Sequence, residues 1–314
     1  MVIRWIVTVL AFGAGVVVGV LVAGAGLTDY DAALRAFPLI TVIAVVTALA
    51  AYALVEYLQT GSLASIGRQF DTRTIVLIPI AIAINVILGQ TVAAALKVPV
   101  YLDSIGTILV GALAGPIPGA LTGMLANLLW TYVLPPPFHS DFAAPFAITA
   151  VVIGLLSGFA ARGGLMRPRP NSGAGALVLS AVIALAVTGG LAAWTYTQFY
   201  ADTFTFFNPE PGDVGAVFVV VGWLIAALIV AAVVGFIALL VVRRDAGVGY
   251  VVVAGAVTGV IAAILSAPIS ANLFGGVTGA GTDFLVAFFR QQGADVLGAS
   301  FQQGLISAPI DKIT

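Results

Sequence analysis

The stretch YLDSIGTILVGALAGPIPGALTGMLANLLW, residues 101–130, carries a single charge, Asp103, near its start. At its centre Gly115-Pro116-Ile117-Pro118-Gly119 interrupts any continuous helix, because proline lacks an N–H and crowds the preceding turn. The charge-free window 104–140 around it is long enough for two helices, so a helical hairpin is predicted. The rest of the chain repeats this composition. Hydrophobic residues make up 61% and charged residues 8%, where an ordinary soluble domain carries about 25% charged residues. A soluble fold has no interior large enough to hide so much apolar surface.

A spanning helix needs about 20 mostly apolar residues, since the hydrocarbon core is about 30 Å thick and a helix rises about 1.5 Å per residue. The charge-free windows run 5–28, 36–55, 74–96, 104–140, 142–161, 170–201, 214–242, 246–282 and 296–310. In the window 246–282, the glycine-rich GGVTGAGT at 275–282 reads as a loop after one helix. These windows predict an all-α polytopic membrane protein with about ten transmembrane helices. The first window exceeds the roughly 7 to 15 residues of a signal-peptide core and is expected to be a retained span. The pattern is still apolar at Thr314, so either the last helix is short or the sequence is truncated there.

Positively charged loops stay on the cytoplasmic side. With the N-terminus inside, Arg4, Arg68, Arg73, Arg162, Arg167, Arg169, Arg243 and Arg244 fall in the cytoplasm, and only Arg35, Lys97 and Arg290 fall outside. The outer loops then collect Asp29, Asp31, Asp103, Asp141, Asp202, Glu210, Asp213, Asp283 and Asp295. A cell-membrane, multi-pass protein with a cytoplasmic N-terminus is expected. Twelve Lys and Arg stand against thirteen Asp and Glu, which leaves no nucleic-acid footprint; the lipid bilayer is the partner that composition names. Cysteine is absent and His139 is the single histidine, so neither a thiolate nor a multi-histidine metal site is expected. No Walker sequence and no paired intramembrane carboxylate stand out. The expectation is a chain without catalytic residues or cofactor, unable to hydrolyse ATP by itself.

Gly119, Gly123 and Asn127 share one helix face; small residues at that spacing admit a neighbouring backbone, and an amide in lipid needs a partner or a cavity. Asn127 therefore marks either a site or an interhelical hydrogen bond. Asp103 either caps the following helix or joins Tyr101 in a binding loop. Trp130, Tyr132 and PPPFHSD (135–141) lie across the same face, as interfacial anchors or as ligand contacts. Asn85, Gln90, Asn272, Gln302 and Gln303 each suit a local backbone bond, and together they could line one polar cavity for a neutral, hydrogen-bonding small molecule. Glu56 and Asp311 are expected to reach the cytoplasmic interface. GALTG (119–123) and GAVTG (255–259) are too short to establish a repeat.

Residues 101–130 also resemble the substrate-binding S components of energy-coupling factor (ECF) vitamin transporters, which often carry a similar D-x-IGT…GPxxGAxxGxxxN pattern. TGVIAAILSAPISANLFGG (258–276) and GLISAPIDK (304–312) resemble the last two helices of some members. The resemblance covers residues 74–162 and about 247–314. It implies a six-helix core made of 74–162 and 247–314, with one added helix pair in 1–73 and another inserted in 163–246. It points to Tyr101, Asp103, Asn127, Trp130, Asn272 and Gln302 as substrate-binding residues. It further implies a separate transmembrane coupling subunit and two cytoplasmic ATPases as partners. The alanine pattern on which the coupling subunit often docks appears here as Ala81, Asn85 and Gly89. The loop YADTFTFFNPEPGD (200–213) either extends an outer vestibule or is a plain connection. The expected function is high-affinity binding for uptake of a vitamin or precursor. An ion-gradient-driven secondary transporter, or a membrane sensor or structural protein, is the alternative.

Overall fold

The computed structural model describes residues 2–24, 30–199 and 216–313. The loop 200–213, with Asp202, Glu210 and Asp213, lies outside the described residues, as do Asp29, Thr314 and the side chain of Asp31. The helices are α1 (Val2–Ala23), α2 (Tyr30–Thr60), the short α3 (Ala64–Gly67), α4 (Thr72–Leu88), α5 (Ile105–Ala114), α6 (Pro116–Tyr132), α7 (Ala147–Arg162), α8 (Ala174–Phe199), α9 (Ala216–Val242), α10 (Gly247–Phe274), α11 (Asp283–Gln291) and α12 (Val296–Ile313). No strand occurs among the described residues. Among the described residues, seven segments are long and apolar enough to cross a membrane, and α5 is a shorter apolar helix. Side chains such as Leu10, Leu21, Ile75, Val234 and Val241 stand exposed along these helices, a surface suited to lipid and unsuited to water.

The ends of the helices follow from local chemistry. Asp71 caps α4 by accepting from the Thr74 N–H at 2.8 Å, and this bond holds its exposed carboxyl below the usual range. The predicted hairpin is α5–α6: Gly115 turns the chain at φ +119°, a value that L side chains rarely adopt, and Pro116 opens α6 where a missing N–H costs nothing. Gly275, in the left-handed region, ends α10. Gly89–Ala95 continues α4 as a π-helical segment before the loop to α5.

Neighbouring helices alternate in direction, so basic residues gather at one end of the bundle. There Arg4 bonds Gln59, Gly115 approaches Gln69 and Arg162, and Arg169 stacks on Tyr250 while its N–H donates to Asp245. Glu56, expected at the interface, is buried at this end, accepting from the N–H and the hydroxyl of Ser65 and pairing with Arg4. The glycines of the opening stretch are packing residues. A Cβ on Gly154 of α7 would lie 2.2 Å from the Gly119 carbonyl carbon, and one on Gly123 would lie 2.6 Å from the Ala150 oxygen. The α5, α6 and α7 backbones therefore meet almost directly. On the other side Gly255 and Gly259 of α10 admit Lys312 and Pro309 of α12. The α1–α2 hairpin lies beside α6 and α7 across an apolar cavity of about 250 Å³.

The structure alters two expectations. Residues 283–291, left between spans by hydropathy, form α11, with Leu285, Val286, Phe288 and Phe289 buried and Ala287 and Arg290 exposed. Ala81, Asn85 and Gly89, expected as an outward docking row, face inward. A Cβ on Gly106 would collide with the Ala81 oxygen at 2.1 Å, Asn85 bonds α5, and Gly89 abuts Trp130 and Asp103.

Candidate ligand cavity

A cavity of about 290 Å³ opens toward the end opposite the basic one, between α4, α6, α7, α10 and α12. The loop 96–104 does not simply cross that end. It descends between the helices, because α5 has only the ten residues Ile105–Ala114 and rises about 15 Å from the basic end before the chain reaches Ser104. Asp103 thus reaches the depth of Lys312, which packs on Gly255 two turns into α10, roughly 12 Å from the same end.

Of the residues singled out in the sequence, Tyr101, Asp103, Asn127 and Trp130 line this cavity. Asn127 donates from Nδ2 to the Gly123 carbonyl at 3.0 Å, within its own helix. Trp130 and Asp103 are neighbours across Gly89, where a Cβ would lie 2.3 Å from the indole ring and 3.0 Å from the Asp103 Cβ. Asp103 does not cap α5; Ser104 holds that position and makes no side-chain cap bond. Asn272 is exposed and Gln302 half-buried, and neither belongs to the lining. Their neighbours on the same helices, Ser270 and Gln303, do. Gln303 donates to the Ser307 hydroxyl at 2.6 Å. Asn85 is fully engaged in structure, donating to Thr107 Oγ1 at 2.8 Å and accepting from the Gly106 N–H at 2.7 Å.

Asp311, expected at the cytoplasmic interface, is buried instead. One of its oxygens accepts from the Leu102 N–H at 2.8 Å and the other pairs with Lys312. Leu102 holds φ +51°, so this bond secures a strained bend of the descending loop. Asp103, Asp311 and Lys312 form an acid–base cluster at the cavity floor. Two lining residues escaped attention because hydroxyls are common in membrane helices: Ser104 and Thr149. Their oxygens, with Trp130 Nε1, are buried without a hydrogen-bond partner.

Two loops border the open end. In the loop 275–282, Asp283 accepts from the N–H and hydroxyl of Thr278 and from the Gly279 N–H, at 2.7 to 3.0 Å. Burial nevertheless raises its carboxyl above the usual range, with those donors and Lys97 opposing. This loop is tied to the loop 96–104 by Lys97 donating to the Gly279 carbonyl and by the Thr282 hydroxyl donating to the Tyr101 oxygen at 2.8 Å. Burial pushes the Tyr101 phenol to about 12. From the other side His139, bonded to Asp141, and Phe142 reach the rim, and Gln90 donates to the Pro137 carbonyl.

No group of three or more metal-ligating side chains occurs among the described residues. Comparison with known protein families, characterised proteins and solved structures finds no match. Fold and cavity define a multi-span α-helical membrane protein with an open-ended cavity between its helices.

Proposed function

We propose that this chain is a membrane binding subunit for uptake of a small organic micronutrient, a vitamin or precursor, working with a separate coupling subunit and two cytoplasmic ATPases as ECF S components do. The reading rests on one observation: an aromatic and polar cavity, bordered by two interlocked loops, opens away from the basic end of the bundle. With the basic end, and so the N-terminus, in the cytoplasm, the mouth faces outward to collect substrate. The chain performs no chemistry of its own in this scheme. Because Ala81, Asn85 and Gly89 are enclosed, a coupling subunit docks on another face. Affinity purification from native membranes is expected to recover a membrane coupling protein with ATPases, and deleting those partners is expected to abolish uptake. Undiminished uptake after the deletion overturns the proposal.

The Asp103–Asp311–Lys312 cluster favours one second reading, an ion-coupled secondary transporter, because buried charges at membrane depth commonly mark ion pathways. Uptake by the purified chain alone in liposomes, driven by a proton or sodium gradient, supports that reading. Dependence on ATP and partners excludes it.

A further inference from the structure

We infer that the cavity takes an organic cation, held by Asp103 beside the indole ring of Trp130. The inference rests on the proposed uptake role and gives its substrate a chemical class. It replaces the neutral molecule expected from the amides, because three of those five, Asn85, Asn272 and Gln302, line no part of the cavity.

The charge arrangement comes first. Lys312 pairs with Asp311, whose other oxygen accepts from the Leu102 N–H. The cluster therefore holds two carboxylates and one ammonium, and its lysine is engaged by Asp311 rather than by Asp103. Among the described residues, no other side chain donates to the Asp103 carboxylate. An ionised group in such a wall loses solvation and needs a compensating charge. A ligand cation supplies it, whereas an anion at the same place meets Asp103 as a like charge in a low-dielectric surround.

The neighbouring groups specify the rest. Trp130 lies against the same glycine as Asp103, so a cation bonded to the carboxylate sits beside the indole ring, and cations favour the face of such a ring. Asp103 is half-buried and lines the cavity, within reach of such a ligand.

The test uses three flat probes of nearly identical shape and different charge: benzamidine (cation), benzamide (neutral) and benzoate (anion). Binding of each to the full chain in nanodiscs is measured by calorimetry at neutral pH. Benzamidine is expected to bind at least about tenfold more tightly than benzamide, with benzoate weakest, as a charge-assisted hydrogen bond provides. Asp103→Asn is expected to bring benzamidine and benzamide to within about twofold of each other. Asp103→Glu retains the preference, and melting curves verify that both variants are folded. Benzamide or benzoate binding as tightly as benzamidine to the unaltered chain overturns the inference, whether or not the variants fold. So does a preference that survives Asp103→Asn, or the absence of binding by all three. These measurements need no coupling partner, so their failure leaves the uptake proposal standing. Failure to find partners leaves the charge preference standing.

Discussion

Asn85 makes two buried bonds from one amide, to the Thr107 hydroxyl and to the Gly106 N–H, and so ties α4 to the start of α5 where Gly106 lies directly against Ala81. Removing that amide strands a backbone donor and leaves a small void. Asn85→Ala is expected to lower stability by about 1–3 kcal/mol, seen as a lower melting temperature in detergent. Its effect on ligand affinity is indirect, through the position of the descending loop. A row of polar residues in an apolar sequence announces that something must be satisfied. It does not announce whether the side chain meets a neighbour, as Asn85 does, or a cavity, as Asp103 does.

At the scale of elements, the loops bordering the cavity mouth depend on α11. Asp283, its first residue, gathers the Thr278 and Gly279 donors, while Leu285, Val286, Phe288 and Phe289 anchor the helix in the core. Asp283→Ala is expected to release three hydrogen bonds, cost about 1–3 kcal/mol, and speed dissociation of bound ligand more than it slows association. Stopped-flow release measurements check this; an unchanged dissociation rate contradicts a closing role for the loop. The hairpin α5–α6 was legible from Gly115 and its two prolines because backbone constraints are local. α11 was not, since a nine-residue amphipathic helix has too few apolar residues for a span and stands beside a glycine-rich loop. The shortness of α5 was equally hidden, and it is what places Asp103 deep in the bundle.

For the whole molecule, orientation is the open quantity that a simple measurement decides. The chain contains no cysteine, so single cysteines introduced at exposed Ser62, near the basic end, and exposed Val277, at the cavity mouth, can be labelled without background. A membrane-impermeant maleimide added to intact cells is expected to modify Val277→Cys and not Ser62→Cys. The reverse pattern would place the cavity on the cytoplasmic side. Membrane insertion, the helical class and the segregation of Arg toward one end of the bundle are all properties of composition and order along the chain, because lipid imposes its demands on every spanning segment alike. Which face of a helix meets the cavity is another matter. In water, polarity marks the outer face, but helices between lipid and an apolar interior are apolar all round. Asn272 and Ser270, or Gln302 and Gln303, are therefore indistinguishable by hydropathy, and only packing turned Ser270 and Gln303 inward. The same packing brought Asp103 from a loop and Asp311–Lys312 from the far end of α12 to one level. Their meeting depends on helix lengths and glycine contacts between segments more than two hundred residues apart.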